Sequence, residues 1–110
     1  MRHSPLLIVW HSRTGASEGL ARAAAQGAGD GARLLTCEEA SAEDFLAAGG
    51  YLFCGPENLA ALSGVMKEMF DRLYYPLLGR LEGRAYASVM AAGSDGTGAQ
   101  RQLDRIAKGW

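Results

Sequence analysis

The sequence predicts an α/β fold, a doubly wound parallel sheet with helices on both faces. Short apolar runs alternate with helical patterns in the order β-α-β-α-β-α-β-α, the mark of a parallel sheet wrapped by its crossovers. The first run, Leu6-Leu7-Ile8-Val9-Trp10, is apolar throughout, as a strand buried on both faces must be. Glycine- or hydroxyl-rich segments follow the first, third and fourth strands at 11–17, 55–62 and 92–98. In such sheets ligands bind beyond the carboxyl ends of the strands, where the winding reverses.

After the first strand, residues 16–28 read as helix, rich in alanine and carrying Leu20, Ala21, Ala24 and Ala28 on one face, alanine having the best helix propensity. The run Gly27-Ala28-Gly29-Asp30-Gly31 ends it, and 32–36 is a second strand. Ser41 stands three residues before Asp44, the spacing of a capping box, and opens a short helix carrying Phe45 and Leu46. Gly49-Gly50 closes that helix, 51–54 is the third strand, and Gly55-Pro56 is expected to stop it. From Ser63 to about Tyr75 an apolar stripe of Leu62, Val65, Met66, Met69, Phe70 and Leu73 faces away from Lys67, Glu68, Asp71 and Arg72, so this segment is an amphipathic helix. Pro76 is expected to end it. A fourth strand covers 84–92, and a last helix presents Ala99, Leu103, Ile106, Ala107 and Trp110 along one side. There are no repeats, linkers or low-complexity tracts.

The 110 residues are one domain's worth. With 48% apolar and 21% charged residues the composition is that of an ordinary globular protein. A formal charge of −1 leaves no footprint for nucleic acid or an anionic membrane. The first apolar run is too short for a signal segment or a bilayer span. Cys37 and Cys54 read as two reduced thiols, so the chain is expected in the cytoplasm. His3 and His11 are the two histidines, and no cluster has metal-ligand spacing; both read as surface or supporting residues.

The first loop carries hydroxyls at Ser12, Thr14 and Ser17 around Gly15, immediately before a helix. A helix start has unpaired N–H groups and about half a positive charge, which favours an anion. Gly15 permits close approach, the hydroxyls add donors, and Arg13 either screens the anion or points to solvent. The plainer reading is that Ser12 or Thr14 only caps the helix. A Walker loop is excluded because no Gly-Lys-Ser/Thr follows, and a dinucleotide fingerprint because Gly15 and Gly19 are wrongly spaced. A Cys-x5-Arg phosphatase loop starting at Cys54 would need arginine at Ala60. A receiver domain would need acids where Trp10-His11 and Cys54-Gly55 stand.

Val9-Trp10-His11-Ser12-Arg13-Thr14-Gly15-Ala16-Ser17 resembles the phosphate loop of the flavodoxin superfamily. Phe53-Cys54-Gly55-Pro56, then Leu62-Ser63-Gly64-Val65-Met66-Lys67 and Phe70-Asp71-Arg72, is similar to a block of its NAD(P)H:quinone oxidoreductase and FMN reductase branches. Gly93-Ser94 with Gly96 and Gly98 resembles their third flavin loop. The resemblance implies a flavodoxin-like sheet in the order 2-1-3-4 and an FMN site. Ser12, Arg13, Thr14, Gly15, Ala16 and Ser17 would wrap the phosphate. Pro56, Glu57, Asn58 and Leu59 would lie along the isoalloxazine. Ala92, Gly93, Ser94, Asp95, Gly96 and Gly98 would close over its other side.

The resemblance also implies an oxidoreductase passing electrons from NAD(P)H to a quinone-like or other small-molecule acceptor, with no catalytic side chain of its own. An electron-transfer protein without turnover and a flavin-free interaction domain are the alternatives. Relatives carry a tyrosine or phenylalanine soon after the proline; here Leu59 or Leu62 would have to supply the apolar surface. The family has a fifth strand and helix, so residues 1–110 are expected to be a C-terminally incomplete domain. Its fourth strand, with Val89 and Met90, would then be an edge prone to association, which a second copy would cover.

Overall fold

Side chains alternate across a strand, so the apolar run 6–10 can feed two cores at once. The computed structural model describes residues 5–92 and 96–110. Its elements are β1 (Leu6–Trp10), α1 (Ala16–Ala28), a short 3-10 turn (Gly29–Gly31), β2 (Ala32–Thr36), α2 (Ala42–Ala47), β3 (Gly50–Asn58), β4 (Ala61–Leu62), α3 (Gly64–Leu77), β5 (Ala85–Ala91) and α4 (Thr97–Gly109). β1 lies between β2 and β3, and β5 pairs with the far side of β3, all parallel. The parallel order is β2-β1-β3-β5, the expected 2-1-3-4 with β5 in the fourth place.

Leu7 and Val9 face the larger core with Phe45, Tyr51, Phe53, Met66, Met69, Phe70 and Leu103. Ile8 faces the other side with Ala21 and Cys54, flanked by Leu6, Trp10, Leu34, Leu52 and Val89. Thus α2, α3 and α4 cover one face and α1 the other, which is the doubly wound arrangement. Among the described residues β5 has β3 as its one strand neighbour, and Ala85, Tyr86 and Ala87 are exposed.

Of two expected stops, the first is passed through. β3 runs past Gly55-Pro56 to Asn58. The Cys54 carbonyl accepts from the His11 N–H, 3.0 Å away, so residue 56 also turns its backbone toward β1, which has already ended. A proline there forfeits no ladder bond. The second holds to within a residue: α3 takes in Pro76 and ends at Leu77. Pro76 lacks the N–H that would have bonded the Arg72 carbonyl, and the helix closes there with the Leu78 N–H on the Tyr75 carbonyl.

The capping box forms as expected: the Asp44 N–H donates to Ser41 Oγ and the Ser41 N–H to Asp44 Oδ2. Arg33 reaches the other oxygen of Asp44 at 2.7 Å. Burial opposes ionisation of that carboxyl, but the Ser41 and Arg33 bonds outweigh it and hold its pKa below the usual value.

Cys37 and Cys54 are free, buried, and lie in different cores. Burial pushes the Cys37 thiol up to about 12, with the Glu38 charge adding to it, and burial alone pushes Cys54 up to about 11. The folded chain therefore keeps two protons that the unfolded chain releases near pH 9.0. Stability from these groups is intact below pH 9 and is lost as pH rises toward 11 and 12. Urea midpoints measured across that range should fall, and a Cys37→Ala/Cys54→Ala double variant should show a shallower fall. A thiol reagent at pH 8 should label neither cysteine until urea is added.

Candidate functional site

The carboxyl ends of β1, β3 and β5 meet at a cleft of about 310 Å³, lined by Ser12, Arg13, Thr14, Ala16, Ser17, Pro56, Glu57, Asn58, Ala91 and Ala92. That is within the size range of small-molecule sites. It draws one wall from each of the three loops picked out in the sequence.

The first wall is the turn into α1. Gly15 is its N-cap at φ 96°, ψ −11°, a left-handed conformation that glycine adopts without penalty. The turn is closed by the Gly15 N–H on Ser12 Oγ at 2.9 Å. The first helical bond runs from the Gly19 N–H to the Gly15 carbonyl, so the amides of residues 16–18 lie ahead of the helical ladder. No side chain caps this end; the hydroxyls read as possible caps leave it open. Ser17 is 2% exposed, and its Oγ is the one buried side-chain polar atom among the described residues without a hydrogen-bond partner. A buried hydroxyl with nothing to bond is costly, unless the site is built around a ligand that completes it.

The second wall is the end of β3. Pro56, Glu57 and Asn58 line the cleft before the chain turns back at Leu59-Ala60 into β4, pairing Glu57 with Leu62 and Asn58 with Ala61. Both turn residues have positive φ, 50° and 65°, the geometry of a tight two-residue hairpin that normally takes Asn or Gly. Leu59 at the tip is fully exposed and lies outside the cleft lining. Glu57 Oε2 accepts the Ala99 N–H at 3.1 Å, so this carboxylate caps α4 from the cleft wall.

The third wall is Ala91 and Ala92, at the end of β5. Ala91 was not among the residues the sequence picked out. Gly96 and Gly98 do not line the cleft: Gly96 is the left-handed N-cap of α4, and Gly98 packs under the Ala60 carbonyl. Gly93, Ser94 and Asp95 lie outside the described residues, as does His3.

His11 supports the site from behind. Its Nδ1 is 3.0 Å from Ser63 Oγ, and that oxygen also accepts the Met66 N–H as the cap of α3. One buried hydroxyl thus ties the base of the first loop to the helix after the hairpin. The sequence held no signal for this pair, whose members are 52 residues apart. Among the described residues no group of three metal-type side chains comes together, and no helix is long and apolar enough to cross a membrane.

No protein-family model matches the chain. Over 97 residues, 84% of this chain, it is 32% identical to a flavodoxin of Aquifex aeolicus (strain VF5), and it spans about half (52%) of that protein's length. Among solved structures it is similar to the WrbA-like flavodoxin from Agrobacterium tumefaciens, with TM-score 0.79 and 22% identity over 96% of this chain and 72% of that one. The flavodoxin of Streptococcus pneumoniae TIGR4 superposes with TM-score 0.76 and 22% identity over 94% of this chain and 74% of that one. The Trp repressor binding protein of Bacillus subtilis gives 0.71 and 19%, over 92% and 77%. The fold is flavodoxin-like.

Proposed function

We propose that the cleft binds FMN and that the chain is a flavin-dependent oxidoreductase module. The observation that carries the reading is the unsatisfied Ser17 hydroxyl, buried at the start of α1 and lining the cleft. A phosphate oxygen accepting from that hydroxyl and from the leading amides of α1 supplies the missing partner. Ser12 holds the turn, Gly15 keeps the approach clear, and Arg13 and Thr14 border the dianion. Pro56, Glu57 and Asn58 would flank the ring on one side and Ala91 and Ala92 on the other. When bound, FMN supplies the redox chemistry, hydride from NAD(P)H in and electrons to a quinone-like acceptor out. The chain's part is to bind, orient and set the local charge, which needs no acid or base among its side chains.

A carrier without turnover is the second reading, favoured by the curated relative, which is named a flavodoxin. Steady-state NAD(P)H oxidation by the FMN-loaded protein separates the two. The reading itself is tested by titrating FMN and following quenching of its fluorescence: saturable 1:1 binding is expected, and a flat titration at high protein concentration leaves the flavin-free interaction domain. Cytoplasmic location belongs to the same proposal, on the ground of the NAD(P)H donor. So does association of two copies along the open edge of β5, which sedimentation velocity measures.

A further inference from the structure

We infer that the first two turns of α4 are a clamp that fixes the β3–β4 hairpin as the cleft's second wall, with Gly98 and Gln102 as positioning residues that line no part of the cleft. The inference rests on the FMN reading only for its effect on ligand. Its structural content stands apart from that reading.

Three contacts carry it, and each grips a different part of the hairpin. At the base, Glu57 Oε2 accepts the Ala99 N–H. On the returning strand, the Leu62 N–H donates to Gln102 Oε1 at 2.8 Å. At the tip, the backbone of Gly98 lies so close under Ala60 that an added Cβ would overlap the Ala60 carbonyl oxygen and stand 2.8 Å from its carbon. That neighbour is backbone, which cannot swing aside as a flexible side chain would.

The hairpin needs such a grip. β4 is two residues long, and a ribbon that short is marginal alone. Its turn places a leucine and an alanine in the left-handed region, a conformation that persists only where the surroundings over-determine it. Pro56, Glu57 and Asn58 form the wall, so whatever moves the hairpin moves the wall. The glycine at 98 is therefore explained by helix-to-hairpin contact.

The test uses Gly98→Ala, Gln102→Leu and the conservative Gln102→Glu in the full chain, with two readouts. The first is amide hydrogen exchange without ligand. Gly98→Ala and Gln102→Leu should speed exchange at Leu62 and Ala99 by about tenfold or more, and Gln102→Glu, which keeps the accepting oxygen, should restore protection. Helix propensity alone predicts the reverse for Gly98→Ala, since alanine strengthens a helix. The second readout is affinity for FMN and for riboflavin, which lacks the phosphate. Both flavins should weaken by the same factor in the clamp variants, whereas Ser17→Ala should weaken FMN alone. Unchanged exchange at Leu62 and Ala99 in both disrupting variants overturns the clamp, whatever the flavin result. Faster exchange in a protein that binds neither flavin keeps the clamp and removes the FMN reading. If Gly98→Ala does not fold, the Gln102 pair decides alone.

Discussion

Gly15→Asp is expected to weaken FMN binding at least about a hundredfold, and Gly15→Asn no more than about tenfold. Two costs add at this position. The first is conformational: at φ 96° a side chain is strained, at about 1–2 kcal/mol, although Asp and Asn tolerate the left-handed region better than other residues do. That cost is shared by both variants. The second is electrostatic and belongs to aspartate alone. A carboxylate about 4 Å from a phosphate charge, at the effective dielectric of a protein surface, costs about 4 kcal/mol. A Cβ at Gly15 meets no protein atom within 4 Å, and Asp and Asn are nearly the same size, so any crowding of the ligand is common to both variants. The difference between the two variants therefore measures charge. Fluorescence titration with FMN, and with riboflavin as the uncharged control, reads it directly. Equal FMN affinity in the two variants would place the phosphate elsewhere and the proposed site with it.

The turn into α1 was readable in the sequence because its parts are consecutive. Ser12 to Ser17 make a turn and a helix start within six residues, and local rules about caps, glycine and helix ends cover all of it. The bounds of β1, α1 and β2 follow the same logic, since apolar runs and alanine-rich stretches report only on themselves. The hairpin wall of the cleft was not readable, because residues distant in sequence hold it. Nothing in Asn58-Leu59-Ala60-Ala61 marks a tight hairpin. The turn forms because Ala99, Gly98 and Gln102, about 40 residues later, hold it. Gly98 reads as a flavin-loop glycine, and in the fold its backbone lies against the Ala60 carbonyl. Leu59, which with Leu62 reads as a possible apolar surface for the ring, stands fully exposed at the hairpin tip and outside the cleft lining. Pro56 misled in a different way. Pro56 does not stop its strand because the N–H it lacks would have faced β1 beyond its end, whereas Pro76 gives up its bond to the Arg72 carbonyl and α3 ends one residue later.

Phe45→Ala is expected to cost about 3–5 kcal/mol, a large part of the roughly 5–15 kcal/mol that keeps a domain of this size folded. Phe45 is fully buried. Its ring stacks on Tyr51 at 5.1 Å and on Phe53 at 6.3 Å, and meets Trp110 edge-on at 5.1 Å. Trp110 in turn packs edge-on against Phe70 at 5.0 Å, so one truncation opens a cavity shared by α2, β3, α3 and the end of α4. Six residues of α2 are too few to hold a helix without tertiary support. The Ser41–Asp44 box contributes about 1 kcal/mol, less than the buried ring. The Phe45 carbonyl also accepts the Tyr51 hydroxyl at 2.6 Å and Arg84 Nη1 at 3.0 Å, and Arg84 Nη1 reaches the Leu46 and Ala48 carbonyls as well. Losing the ring should therefore loosen the backbone that these donors grip. In urea unfolding the midpoint should fall with little change in slope, and the thermal midpoint should drop by at least about 12 °C. Phe45→Leu, which refills most of the volume, should cost less than about 1.5 kcal/mol. A loss below 1 kcal/mol for the alanine variant would mean that α2 is held by its cap and by Arg84, with the aromatic cluster secondary.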